Sequence, residues 1–163
     1  MTIAEFDHLD KDRKRKLLYE CCGSVAWVEK MLTIPPAEDL IDLFEDAEEK
    51  WYECRETDWR EAFSSVKSDR DPRGKESYST LRDDEPLSST ARPDILHSLA
   101  DLKNEYENKF GYVFVAADAG KSLEETLSMV RERLSHTPDE EIHIAMEEQN
   151  KITRARLEKL FES

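Results

Sequence analysis

Along most of the chain large apolar residues return every three or four positions, the spacing of one helix face, and only four glycines and six prolines interrupt them. The pattern predicts helices joined by short turns. A first helix opens near Asp10, carries Leu17 and Leu18, and stops at Gly23, where a left-handed cap costs glycine nothing. A second opens at Ser24 with Val25, Trp27, Val28 and Met31, and ends before Pro35 and Pro36, whose rings clash with a preceding helical turn. Over 36–54, Leu40, Leu43 or Phe44, Ala47, Trp51 and Cys54 share one stripe, while Asp42, Glu45, Glu49 and Glu53 fall largely on the other side. A short helix over 58–65, capped by Asp58, adds Trp59, Ala62 and Phe63 to the core.

Between 66 and 93 the pattern lapses. Ser, Asp, Arg, Gly and Pro dominate there, and only Val66, Tyr78, Leu81 and Leu87 are large and apolar. A connection longer than ~12–15 residues in a compact domain is usually functional or disordered, and both readings stay open. Helical spacing returns with Ile95, Leu99, Leu102, Tyr106 and Phe110, ending at Gly111. Residues 112–117 form the one β-flavoured run, predicting an extended segment rather than a sheet. Ser122 with Glu125 makes a capping box ahead of Leu123, Leu127, Val130 and Leu134. Thr137, Pro138 and Glu140 repeat the device before a last helix bearing Ile142, Ala145, Met146, Gln149, Ile152, Leu157 and Leu160. These two helices are expected to pack antiparallel. The predicted fold class is all-α, a single-domain helical bundle over 1–163 with a long loop at 66–93 and a short extended segment at 112–117.

Composition supports one core: 38% of the 163 residues are apolar, including three Trp, five Tyr and six Phe. The net charge of -14 argues against a nucleic-acid or anionic-membrane partner, both of which repel such a chain. The one basic run, Lys11, Arg13, Lys14, Arg15 and Lys16, is diluted by Asp7, Asp10 and Asp12 and reads as a solvated helix face. No stretch approaches the ~18 apolar residues of a membrane span, no signal-peptide pattern opens the chain, and Phe161, Glu162 and Ser163 are not a peroxisomal tripeptide. The cytoplasm is therefore the expected location. Cys21, Cys22 and Cys54 form no CxxC and read as buried thiols; His8, His97, His136 and His143 have no metal-ligand spacing, so no metal site is expected.

The residues alone give little chemistry, with no phosphate-cradling glycine loop and no GxSxG. Three features differ from ordinary surface. One is the polar loop over 66–93. Another is the run over 112–117, whose amides have no sheet to satisfy them and suit a carbonyl or carboxylate. The third is Arg133, which sits close to the buried face of its helix, where a guanidinium needs an acceptor or a ligand. An ion pair with Glu132 or Asp139 is the plainer alternative.

Several blocks carry a family resemblance. They are Glu20-Cys21-Cys22-Gly23-Ser24 with Trp27-Val28, Asp58-Trp59-Arg60-Glu61-Ala62-Phe63, Asn104-Glu105-Tyr106, and Lys109-Phe110-Gly111-Tyr112-Val113-Phe114-Val115. Gly120-Lys121-Ser122, Arg133-Leu134, Glu140-Glu141, Glu148, Lys151-Ile152-Thr153 and Arg156-Leu157 continue the series. In order and spacing the chain resembles the OHCU (2-oxo-4-hydroxy-4-carboxy-5-ureidoimidazoline) decarboxylases of urate degradation over nearly its whole length, the stretch 66–93 excepted. The resemblance implies an all-helical homodimer that needs no cofactor. It also implies a ureide ligand, OHCU or allantoin, and a carboxy-lyase reaction of purine catabolism: loss of the carboxylate, then protonation on one face to give (S)-allantoin.

The family places a histidine after the Ala-Phe block at the head of His-Pro-x-x-Gly, a Ser-x-x-Glu-Gln motif later in the loop, backbone amides in the extended segment, and a ligand-clamping arginine. Carried across, the histidine position is Val66 and the proline position Lys67, and Gly74 fits the motif glycine only with a shifted loop. Arg82 takes the serine position, and Glu85 and Pro86 take the Glu-Gln pair. Val115, Ala116 and Ala117 match the amide-bearing segment, and Arg133 matches the arginine. The resemblance thus makes Glu85 and Arg133 the catalytic candidates, with Arg82, Pro86, Val115, Ala116 and Ala117 at ligand-binding positions. Valine cannot carry a proton, and general acid–base catalysis contributes ~10²- to 10⁴-fold. His97, on a helix beside Leu96, reads as a surface residue rather than a replacement. Two functions stand side by side: a carboxy-lyase of this family, and a non-catalytic relative or altered scaffold that acts as a binding or interaction module.

Overall fold

The structure is a computed structural model that describes residues 1–68, 93–117 and 121–162. Among these residues every regular element is a helix and none is a strand: α1 (Ile3–Asp7), α2 (Lys11–Cys21), α3 (Val25–Leu32), α4 (Leu40–Tyr52), α5 (Glu56–Ser68), α6 (Pro93–Phe110), α7 (Leu123–Leu134) and α8 (Pro138–Leu160). The chain divides into two compact units that are not successive in sequence. One combines Met1–Ser65 with Gln149–Ser163, and the other is Val66–Glu148, so α8 runs from one into the other.

In the unit made of the two chain ends, local caps set most helix starts. Asp10 accepts the Arg13 N–H, Ser24 the Trp27 N–H and Asp39 the Asp42 N–H, each satisfying an amide that lacks an intrahelical acceptor. Helix α4 therefore starts at Leu40, later than the expected 36. Helix α1, absent from the sequence expectation, opens on a Thr2–Glu5 capping box and places Phe6 edge-on to Phe161 at 5.6 Å. Asp58 does not precede α5. It lies in the first turn and accepts the Arg55 N–H at 3.0 Å, and α5 runs on to Ser68 rather than ending near 65.

Gly23 does not form the expected left-handed cap; among the described residues Gly111 alone is a glycine of positive φ. Helix α2 ends instead with an extended Cys22, and Arg156 of α8 donates from Nη1 to the carbonyls of Glu20 and Cys21 at 3.2 and 3.3 Å. A cation placed on the free carbonyls of a helix C-terminus answers both their missing donors and the negative end of the dipole. Trp27, fully buried, donates from Nε1 to the Ala47 carbonyl at 3.0 Å and locks α3 against α4. Trp59 does the same for the Trp51 carbonyl at 3.1 Å. Full burial of a large side chain such as Trp27 contributes roughly 1.5–3 kcal/mol, and Trp59 is only half-buried.

The three cysteines belong to this unit and are buried and free. Burial pushes the Cys21 and Cys22 thiols up to about 12 and the Cys54 thiol up to about 11. Thiolate is the reactive form, so all three are expected to resist an aromatic disulfide reagent in mildly alkaline buffer until the protein unfolds. The linkage has a definite sign. Folded thiols keep protons that unfolded ones release from about 9.0 upward, so stability is complete below that pH and falls as pH rises toward 12. Urea unfolding midpoints measured across that interval check the decline.

The other unit is built on α6 packed against α7. Leu99, Tyr106 and Phe110 of α6 are buried, and Gly111, at φ 85°, takes the left-handed conformation that ends the helix. Ser122 and Glu125 make the expected capping box on α7, and Thr137 and Glu140 bond reciprocally ahead of Pro138. Helix α7 finds its helical packing partner in α6 and meets α8 through Arg133 and Glu141 beside the turn. The antiparallel pairing with the last helix is thus not its main contact. Lys109 of α6 closes the end of α7 by donating to the Leu134 and His136 carbonyls.

Candidate active site

The unit Val66–Glu148 holds a buried polar network beside the 112–117 segment. Arg133, 4% exposed, donates from Nε to Glu141 Oε2 at 2.7 Å, from Nη1 to the Val115 carbonyl at 2.7 Å and from Nη2 to Tyr106 Oη at 3.3 Å. Tyr106 in turn donates its hydroxyl proton to Glu141 Oε2. The second Glu141 oxygen faces His136 Nδ1 at 3.0 Å, which places the imidazole proton on that nitrogen. Burial, with the adjacent Glu141 carboxylate, holds the Tyr106 hydroxyl protonated well beyond the ordinary phenol range, so it serves as a fixed donor.

Aromatic rings enclose the guanidinium. Its Cζ lies 4.3 Å from the Phe114 ring centre and 5.5 Å from that of Tyr106, within cation–π range. Tyr106 also contacts Phe110, Tyr112 and Phe114 with centroids 4.7, 5.8 and 5.2 Å away. The 112–117 segment therefore has side chains in a closed cluster and its backbone held by side chains of other elements.

That backbone is only partly satisfied. The Val115 carbonyl accepts from Arg133, and the Ala117 N–H donates to Glu148 Oε1 at 3.2 Å. The N–H groups of Val113, Phe114, Val115 and Ala116 meet no acceptor among the described residues, although these residues are 0–8% exposed. Buried amides without acceptors are rare in folded proteins and are ready donors to a carbonyl or carboxylate oxygen, or to an oxyanion that develops during reaction.

Two depressions in the other unit contain none of the sequence-predicted site residues. One of about 470 Å³ runs between α2 and α3 past Tyr19, Val25 and Val28, and one of about 120 Å³ lies beside Phe6, Met31 and Pro35. Among the described residues no three His, Cys, Asp or Glu side chains are grouped to hold a metal ion, and no helix is long and apolar enough to cross a membrane.

The sequence model of one protein family, OHCU decarboxylase, matches residues 7–158 and so spans both units. The chain belongs to the OHCU decarboxylase family. It is 32% identical over 153 residues to the uric acid degradation bifunctional protein TTL of Arabidopsis thaliana, covering 86% of this chain and 45% of that protein. A uric acid degradation bifunctional protein of Bacillus sp. (strain TB-90) is 38% identical over 60 residues, 37% of this chain and 12% of that one. The chain thus spans less than half the length of these curated relatives. The crystal structure of an OHCU decarboxylase in the presence of (S)-allantoin matches over 95% of this chain and 100% of its own, with a TM-score of 0.75 and 29% identity. An (S)-allantoin synthase structure, 17% identical with a TM-score of 0.69 over 98% of this chain and 54% of its own, shares the fold.

Of the residues the OHCU decarboxylase resemblance singled out, the structure brings Arg133 and Val115 into direct contact and joins Ala117 to Glu148, with Ala116 between them. Val66 falls in the last turn of α5. Arg82, Glu85 and Pro86 lie outside the described residues. The ion partner of Arg133 is Glu141, not Glu132 or Asp139. Sequence reading missed Glu141, Tyr106 and Glu148 as site residues. A signal existed for the first: Glu141 stands four and eight positions before Ala145 and Gln149, so an acid lies on the buried stripe of α8.

Proposed function

We propose that this chain binds OHCU and carries out its decarboxylation in weakened form. The observation that carries this reading is the row of buried N–H groups at 113–116, fixed beside Arg133, in a member of the OHCU decarboxylase family. When the bond to the carboxylate breaks, carbon dioxide leaves and the electron pair stays on the ureide ring carbon, delocalised onto neighbouring oxygen. An amide donor held in place beside such a charge needs no rearrangement, and losing one such donor costs about 10²–10³-fold in rate in well-studied hydrolases. The carbanion then takes a proton from one side. Val66 supplies none, so Glu85 is assigned the proton transfer, and the step is slow. A homodimer, which rests on the family resemblance, and a cytoplasmic location, which is the expectation from the sequence, belong to the same proposal.

The second reading, a non-catalytic relative that still holds a ureide, is favoured by Val66, Arg82 and Pro86 at three polar positions of the family site. Freshly generated OHCU separates the two when allantoin formation is followed by circular dichroism. An excess of one enantiomer above the protein-free control supports the decarboxylase. A trace that matches the control supports the binding protein.

A further inference from the structure

We propose that Tyr106, Glu141 and Arg133 are positioning residues that aim the Ala116 N–H at an acceptor oxygen of a bound ureide; the proposal rests on the ureide reading above. Arg133 grips the Val115 carbonyl at 2.7 Å. In a trans peptide the carbonyl of one residue and the N–H of the next point in opposite directions within one plane, and the described chain contains no cis bond. Holding the Val115 oxygen toward the guanidinium therefore turns the Ala116 N–H away from it. Glu148 takes the Ala117 N–H at 3.2 Å and fixes the following plane as well. The Ala116 N–H, in the first of these two pinned planes, is left with no acceptor among the described residues.

The grip is itself set from three directions. Glu141 fixes Nε, the Tyr106 hydroxyl fixes Nη2, and Phe114 lies against the plane at 4.3 Å. Tyr106 and Glu141 are fully buried and Arg133 is 4% exposed, so their effect on a ligand passes through the backbone. A carbonyl or carboxylate oxygen suits the Ala116 N–H as acceptor, and a ureide carries these.

Tyr106→Phe tests the assignment, because it keeps the ring and the ion pair and removes one hydroxyl. Allantoin affinity is measured by calorimetry, and amide exchange at Ala116 by NMR with and without allantoin. The expected result is about tenfold weaker binding, the equivalent of one charge-assisted hydrogen bond, together with loss of the allantoin-induced protection at Ala116. Exchange in α2, α3 and α4 is expected to stay as in the wild type. Glu141→Gln, which keeps an acceptor oxygen without the charge, is expected to act in the same direction. Wild-type affinity and wild-type protection at Ala116 in Tyr106→Phe would overturn the proposal, as would faster exchange spread evenly over all helices. Failure of the unaltered protein to bind allantoin overturns the ureide reading and this proposal with it; that outcome is distinct, because the wild type itself then fails.

Discussion

Glu141→Ala is expected to destabilise the protein by about 3–5 kcal/mol, read from urea unfolding, the loss typical of a buried ion pair stripped of one partner. Glu141 is fully buried and Arg133 is 4% exposed. With the carboxylate gone, the guanidinium retains the Val115 carbonyl and the Tyr106 hydroxyl, both neutral, and its charge stays in an aromatic enclosure without compensation. His136 loses the acceptor at Nδ1 at the same time. The cost arises from the charge left behind more than from the bond lost. Removing both charges together, as in the double variant Arg133→Met with Glu141→Leu, is therefore expected to recover most of the stability. A single-variant loss below about 1 kcal/mol, the range of an exposed pair, would mean that water reaches the guanidinium.

The same network shows where sequence reasoning reaches and where it stops. Asp10, Ser24 and the Ser122–Glu125 box were legible because a cap depends on residues within one turn. Gly23 misled for the complementary reason: Arg156, more than a hundred residues away in sequence, supplies what a glycine cap would have supplied, and no local rule sees it. The five-residue α1 is too short to show periodicity, although its Thr2–Glu5 box was readable. Asp58 was rightly seen to serve the start of α5 but from the wrong side, since an acid can accept an amide from the first turn as well as from ahead of it. The need of Arg133 for an acceptor followed from its place on the helix; which acceptor did not. Glu132 and Asp139 are near in sequence, but Glu141 lies on the buried stripe of α8, and the helical spacing that includes Tyr106 carries no trace of a partner for its hydroxyl. The division into two units is silent in composition, because one unit is assembled from both ends of the chain and the boundary at 148–149 falls inside a helix.

Val66→His is expected to raise the rate of OHCU decarboxylation by ~10²- to 10⁴-fold, the usual contribution of a positioned general acid or base. Val66 follows Phe63 by one helical turn, and Ala62 and Phe63, both fully buried, anchor α5 just ahead of it. Position 66 therefore has helical backbone, in the last turn of α5. An imidazole has an unperturbed pKa near 6.5, so it exchanges protons readily at neutral pH, and the restored activity is expected to show a titration in that region that the wild type lacks. The sign follows from the role. If the imidazolium delivers the proton, the rate falls as pH rises through the transition; if neutral imidazole acts as base, it rises. Initial rates of chiral allantoin formation measured between mildly acidic and mildly alkaline pH, for wild type and variant, give both the magnitude and the direction. No gain in a folded variant that still binds allantoin would show that proton transfer is not what the chain lacks, and would shift the fault to the positions held by Arg82 and Pro86.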